Sequence, residues 1–351
     1  MNPIWLTLHR GVGADQPVLV AFEIGGTMDS LASALALTGA AKRAGADAVK
    51  VQIVDPERLV GIDRPIAWTG YDGVPHEDSL LKLLRHRVLD ESDWAEVRAA
   101  AREARLLFFA TVDFPETLEL AVKLDAHALK ACSGDLNHVE WIKEMARADL
   151  PLMLDTGSGT LEEVGRAVEA ALAINPRLIL HHVPSGYPAR LQSVNLRMLT
   201  TLKAMYPEIA IGYSDHAPGF TMDVAAVALG AAMVEKTLTV SRSRGWVEDA
   251  MSVEVGEEAE AFVRAIRDTE TGMGLARKRV TEEEQAGKAI ARRSAFAKRD
   301  LSAGHCVQWE DVDWRRPAGE IEPPDWPYFN GRELRVNLGA GQRLLRSHFG
   351  S

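Results

Sequence analysis

Cysteine is scarce. The chain has two, Cys132 and Cys306, which excludes a disulfide framework and fits a reducing compartment. Aromatic residues make up only 6% of it, so aliphatic side chains must supply most of the core. No uninterrupted apolar segment approaches about 20 residues, the length needed to cross a bilayer, and a membrane role is not expected. The opening MNPIWLTLHRGVG lacks a basic start followed by an apolar stretch, so no signal peptide is expected and a cytoplasmic location is. Positive charge is also in deficit: 40 Lys and Arg against 50 Asp and Glu give a formal net charge of −10. That disfavours nucleic acid, whose phosphates are gripped by clustered basic residues. A small anion held in a local basic pocket is still compatible. The main basic clusters are RRSAFAKR (292–299) and the pair Arg315 and Arg316.

What the chain does have is 46% hydrophobic residues, arranged in eight short runs that each end on polar or charged residues. They are VLVAFEIGG (18–26), AVKVQIV (48–54), LLFFATVD (106–113), HALKACSGD (127–135), LPLMLDTG (150–157), LILHHVPSG (178–186), IAIGYSDH (209–216) and MVEKTLT (233–239). A parallel strand covered by helices on its outside is nearly all apolar, so a charged residue near its end belongs at the rim of the sheet. Between the runs lie helical periodicities such as SLASALALTGAAKRA (30–44), stopped by Gly45, and DESDWAEVRAAAREA (90–104) with an acidic first turn. Strand then helix, eight times over roughly 250 residues, predicts an α/β fold of the (β/α)₈ TIM-barrel type. An open doubly wound sheet is the competing architecture. The segment from about Asp55 to Leu89, with Gly61, Pro65, Gly70, Gly73 and Pro75, is long enough to be a lid or binding insertion. The expected organisation is a barrel over residues 1–275, a charged linking helix or tether over 276–291, and a small β-rich domain over 292–351.

In a (β/α)₈ barrel the working groups gather at the C-terminal strand ends. Those ends supply Glu23, Lys50, Gln52, Thr111, Lys130, Ser133, Asp135, Asp155, Thr156, His182, Ser185, Ser214, Asp215, His216 and Lys236. An unpaired buried ammonium is costly, so the three lysines need carboxylates or a bound anion. With hydroxyls around them, a phosphate or carboxylate ligand is the collective expectation. A Schiff base at Lys130 or Lys236 is the alternative use of a strand-end lysine. His182 and His216 without a fixed short spacing are weak metal signals. Cys132 reads as a small buried hydrophobe. TGSGT (156–160) suits either a phosphate cradle or a helix N-cap at Thr160.

At these motifs the chain resembles the sialic acid synthase family, including its spore-coat polysaccharide biosynthesis homologues. The resemblance runs in order through FEIGG, GADAVKVQ, FFATVDF, LKACSGDLNH, DTGSGTLEEV, PSGYP, SVNLRML, GYSDH, AVALGA and EKTLT. It continues through RRSAFAKRDLSAG and RRPAG, which are similar to that family's C-terminal antifreeze-like (SAF) domain. The resemblance implies a barrel enzyme that condenses phosphoenolpyruvate (PEP) with an N-acylmannosamine-like aldose to a 2-keto acid and phosphate, for surface polysaccharide biosynthesis, in a domain-swapped homodimer. It implies Lys50, Thr111, Lys130, Ser133, Ser185 and Ser214 around PEP, with Glu23 and Asp135 beside the reacting carbons. Gln52, Tyr187 and Arg316, the last reaching across from the partner, would contact the sugar, and His216 would bind a divalent metal, manganese or magnesium. Several positions depart from the family pattern. The EKHFT histidine is Thr237, the EIGxNHxG segment carries Thr27 and Met28, and the STG serine is Asp155. The aspartate after EKHFTL is Ser241, and RPGxG has become RPAGE. Loss of condensation in a binding or regulatory paralogue is the alternative those changes raise.

Overall fold

Residue parity along the strands decides which side chains face inward. The computed structural model describes residues 3–350. Eight strands form the barrel: β1 Leu19–Glu23, β2 Ala48–Ile53, β3 Leu107–Val112, β4 Ala128–Ala131, β5 Leu152–Asp155, β6 Leu178–His182, β7 Ala210–Asp215 and β8 Met233–Thr239. Each pairs in parallel with its chain neighbour, and β8 pairs with both β7 and β1. The sheet therefore closes on itself, which rules out the open doubly wound alternative.

Leu19, Ala21, Ala48, Leu107, Phe109, Ala128, Met153, Ile179, Ala210 and Met233 form an apolar layer inside the barrel. Ile4, Leu6 and Val12 belong to the same cluster. They come from the N-terminal hairpin that pairs Ile4–Trp5 with Gly11–Val12. The hairpin thus seats its apolar residues against the N-terminal end of the barrel. Side chains alternate sides along a strand, so the next inward positions are Glu23, Lys50, Thr111, Lys130, Asp155, His181, Ser214 and Glu235, all buried. The opposite parity, including Val20, Phe22, Phe108, Leu129, Leu154, Leu180, Tyr213 and Val234, packs outward under the helices in the main core. At about 25 cal/mol per Å² of apolar surface, this outer layer is the dominant stabilising contribution.

Local signals set the helix ends. Ser30 accepts from the Ser33 N–H to cap Leu31–Ala44, and Gly45 ends that helix at φ 86°, a left-handed turn that favours glycine. Asp90 caps Glu91–Glu103. Thr160 and Glu163 form a reciprocal capping box on Leu161–Leu172, so TGSGT takes its N-cap reading. The 55–89 insertion contains an antiparallel hairpin, Pro65–Thr69 with Pro75–Ser79, flanked by short helices Pro56–Leu59 and Leu80–Arg85. Trp68 packs with Leu83 and Val247 and donates to the Gly245 carbonyl at 3.1 Å, pinning the insertion to the loop after β8.

The chain divides into two compact units, Met1–Gly274 and Leu275–Ser351. In the second, a helix spans Glu282–Ala291 and one two-stranded antiparallel sheet joins Ser294–Ala297 to Val312–Arg315. Isolated bridges such as Leu301 with Leu338 and Cys306 with Glu333 supply the rest of its pairing. Its own core includes Ala295, Leu301, Val307, Ile321, Trp326 and Leu344. Among the described residues no helix is long and apolar enough to cross a membrane.

Candidate active site

A cavity of about 330 Å³ opens at the C-terminal ends of the barrel strands, within the range of small-molecule sites. Its lining includes Glu23, Lys50, Gln52, Thr111, Lys130, Ser133, Asp135, Tyr187, Ser214 and His216. One mouth thus gathers most of the residues the sequence singled out.

Strand register explains the grouping. Glu23 lies opposite Lys50, Gln52 opposite Thr111 and Thr111 opposite Lys130. Lys130 Nζ sits 2.7 Å from Glu235 Oε1, 3.0 Å from Asp155 Oδ2 and 3.4 Å from Ser214 Oγ. Lys50 is paired with Glu23, and its Nζ lies 3.9 Å from Glu235. Burial would lower the Lys50 pKa, but Glu23 and Glu235 hold it above the usual lysine range. Burial raises Glu23, and repulsion from Glu235 and Glu248 adds to it while Lys50 opposes. Asp155 behaves the other way: burial would raise it, yet Lys130 and a hydrogen bond from His181, 3.2 Å away, hold it below the carboxylate range. The carboxylate at the STG serine position is therefore lysine-paired. Asp135 is raised, chiefly by burial.

Three buried polar atoms on the cavity lining have no protein partner: Thr111 Oγ1, His216 Nδ1 and Glu235 Oε2. Buried polar atoms are normally satisfied, so they mark where a ligand would bond. Ser133 and Ser185 hydroxyls converge on Gly157, where an added Cβ would lie 2.4 Å and 2.6 Å from them. Only a glycine fits that approach.

Several expectations need correction. Lys236 has outward parity, is absent from the cavity lining and is fully buried against Asp215, 2.6 Å away, and the Ala217 carbonyl. It is a structural ion pair. Asp215 borders the cavity but commits its carboxylate to the same buried network, accepting from Tyr213 at 2.7 Å and from Lys236. His182 Nε2 meets the Val194 carbonyl at 2.6 Å on the outer face. Ser185 lines a neighbouring cavity and bonds Ser158 at 2.9 Å. Cys132 lies just past β4, lines the cavity and donates its thiol to Asp135 Oδ2 at 3.2 Å. It is not a packed strand hydrophobe; burial pushes its thiol up to about 12, so it is not a thiolate nucleophile. Arg316 belongs to the second unit.

Reading strand ends missed Glu235, His181, Arg87 and Glu248. Glu235 and His181 were legible from parity, each lying two residues from another inward position. Arg87 and Glu248 come from loops, where no periodicity points.

Comparison with known proteins gives the family. The NeuB family matches residues 37–278, and a SAF domain matches 292–349. The chain belongs to the NeuB family. Among NeuB-type relatives, the N,N'-diacetyllegionaminic acid synthase of Legionella pneumophila is 32% identical over 317 residues, covering 89% of this chain and 88% of that protein. The pseudaminic acid synthase of Campylobacter jejuni is 27% identical over 337 residues, covering 95% and 97%. The N-acetylneuraminic acid synthetase structure from Leptospira borgpetersenii, in complex with citrate, superposes with a TM-score of 0.70 at 25% identity, over 80% of this chain and 93% of that one.

A resident metal fits these residues poorly. Among the described residues His216 is the one imidazole on the cavity lining, its ring centroid 4.7 Å from that of Tyr187. Thr237 lines the cavity where the family pattern has its second imidazole. A neutral hydroxyl is a poor ligand for manganese beside imidazole. Among the described residues no group of three His, Cys, Asp or Glu side chains is placed to hold an ion.

Proposed function

We propose that the chain is a PEP-dependent sugar acid synthase, joining PEP to an open-chain amino-sugar-like aldose and releasing phosphate. The observation that carries this reading is the pair Lys50 and Lys130, both within 3.9 Å of Glu235 Oε1, with unpartnered Thr111 Oγ1 on the strand between them, at one end of a NeuB-family barrel. The synthase activities printed for the relatives support the same reaction class.

In this reading Lys50, Thr111, Lys130, Ser133 and Ser214 hold the PEP phosphate and carboxylate. The ammonium groups supply charge and the hydroxyls supply directed bonds. Two lysines face three carboxylates there, Glu23, Asp155 and Glu235. A trianion would be repelled unless one carboxylate is protonated. Glu23, already raised by burial, is the one that takes the proton.

The new bond forms between PEP C3 and the aldehyde carbon as the carbonyl π pair moves onto oxygen. Water adds through its oxygen to C2, and the C2–O bond to the phosphate breaks, leaving a ketone. Of the water's two protons, one ends on the new hydroxyl and the other on phosphate. Asp135, which lines the cavity and is raised by burial, is the group this reading assigns to proton transfer. Gln52 and Tyr187 border the acceptor. Arg316, in the RRPAG motif, is assigned to the acceptor of a second copy in a homodimer. The test is phosphate release that requires both PEP and an aldose, with a keto acid three carbons longer detected by mass. PEP binding with no turnover on any aldose would overturn the reading.

A further inference from the structure

One buried charge pair on the cavity lining has no part in that account. Arg87 and Glu248 are 5% and 4% exposed, and their side chains meet at 2.9 Å. Arg87 Nη1 also donates to Gln52 Oε1 at 3.0 Å, and Nε to the Leu83 carbonyl at 3.3 Å. Among the described residues Nη2 donates to no protein group, although the residue lines the cavity with His216, Thr237 and Tyr187. Glu248 lies so close over Gly26 that a Cβ there would be 1.6 Å from Glu248 Oε2. The Gly26 N–H in turn donates to Glu23 Oε1 at 3.1 Å. The pair is therefore anchored beside Glu23, at the end of the site where the new bond would form.

We propose that the free Nη2 of Arg87 donates to the acceptor's carbonyl oxygen and holds the charge that develops there, so that condensation by this chain needs no resident divalent cation. This deepens the synthase reading and rests on it. As PEP C3 bonds to the aldehyde carbon, the carbonyl electron pair moves onto oxygen, and Arg87 stabilises that oxygen until it receives its proton. A planar guanidinium offers directed donors, and Glu248 with Gln52 fixes its orientation before substrate arrives. Donors aimed at developing charge in a water-poor site are typically worth about 10²–10³ in kcat each. The same side of the site carries Thr237 in place of an imidazole, so the loss of a metal ligand and the presence of a fixed cation coincide.

The experiment uses the full chain stripped with EDTA. Manganese binding is read by electron paramagnetic resonance, and phosphate release from PEP is measured with a panel of aldoses including N-acetylmannosamine. Expected results are no stoichiometric manganese site, turnover that persists in EDTA, and gain of a manganese site in Thr237→His. Arg87→Gln should lower kcat about 10²–10³-fold with PEP affinity retained, and Arg87→Lys should recover part of it. Because Arg87→Gln leaves Glu248 buried alone, the double variant Arg87→Gln with Glu248→Gln tests the same loss in a neutral pair. Stoichiometric manganese binding that His216→Ala abolishes, turnover that EDTA stops and manganese restores, or unchanged kcat in both Arg87 variants would each overturn the proposal. Absence of turnover in every form and condition overturns the synthase reading and the Arg87 step with it. The manganese titration, which needs no turnover, tells that result from a metal requirement.

Discussion

Lys130 and Glu235 are separated by 105 positions in the chain, yet their charged ends meet at 2.7 Å inside the barrel. Closure of the sheet makes that contact possible, because β4 and β8 lie on opposite sides of the ring. The proposed function seats an anion against this pair, which makes Lys130 the most informative residue to remove.

Lys130→Ala should weaken PEP by at least about a hundredfold, the order expected when one partner of a charge-assisted contact is lost. Isothermal titration calorimetry with PEP reads it directly. Unchanged affinity would mean the anion site lies elsewhere.

Lys236→Met should behave differently, although both lysines end strands. Lys236 is sealed on the outer face against Asp215, and breaking such a pair costs about 3–5 kcal/mol of stability. Chemical denaturation should show the loss, while PEP affinity of the folded protein stays near wild type.

How legible these roles were in the sequence follows from the same two lysines. The eight runs and the helices between them identified the barrel, because apolar strands and capped helices are local signals. Which strand-end charges share the cavity was not read, since that depends on parity counted from an inward residue. Once Ala128 and Met233 are placed in the inner layer, Lys130 and Glu235 follow inward and Lys236 outward. Cys132 was misassigned for a related reason: β4 ends at Ala131, one residue before it. Arg87 and Glu248 were invisible because loops carry no period, and only tertiary packing through Trp68 brings the insertion over the mouth.

PEP affinity should fall as pH rises. Glu23 titrates above the ordinary carboxylate range because it is buried, and binding a trianion favours its protonated form. Above that raised pKa the proton must be recruited, so affinity declines by up to about tenfold per pH unit. Below it, affinity levels off until PEP itself gains a proton. Calorimetry from pH 5 to 9 checks the slope, and Glu23→Gln should flatten it.

Tyr187 is about half exposed, with its ring tilted 40° against that of His216, and the proposed function puts it beside the acceptor. Tyr187→Ala should raise the KM for aldose about tenfold while moving kcat and PEP affinity little, since a rim aromatic contributes mainly packing area. A comparable loss of PEP affinity would place the tyrosine on the wrong substrate.

Cutting the chain after Ala291 removes Arg316 and the second core. The barrel has its own closed sheet and packed layers, so circular dichroism should report a folded protein. Phosphate release should drop to a small fraction of full length. Full activity in the shortened chain would end the assignment of Arg316 to the acceptor.

The inner apolar layer, extended by Ile4, Leu6 and Val12 of the N-terminal hairpin, forms a floor beneath the cavity at the C-terminal strand ends. Traffic through a blind shaft is last in, first out. If PEP binds against Lys50 and Lys130 as proposed, it should enter ahead of the aldose, and phosphate formed there should leave after the sugar acid. Initial-rate and product-inhibition patterns should therefore be those of a compulsory-order enzyme.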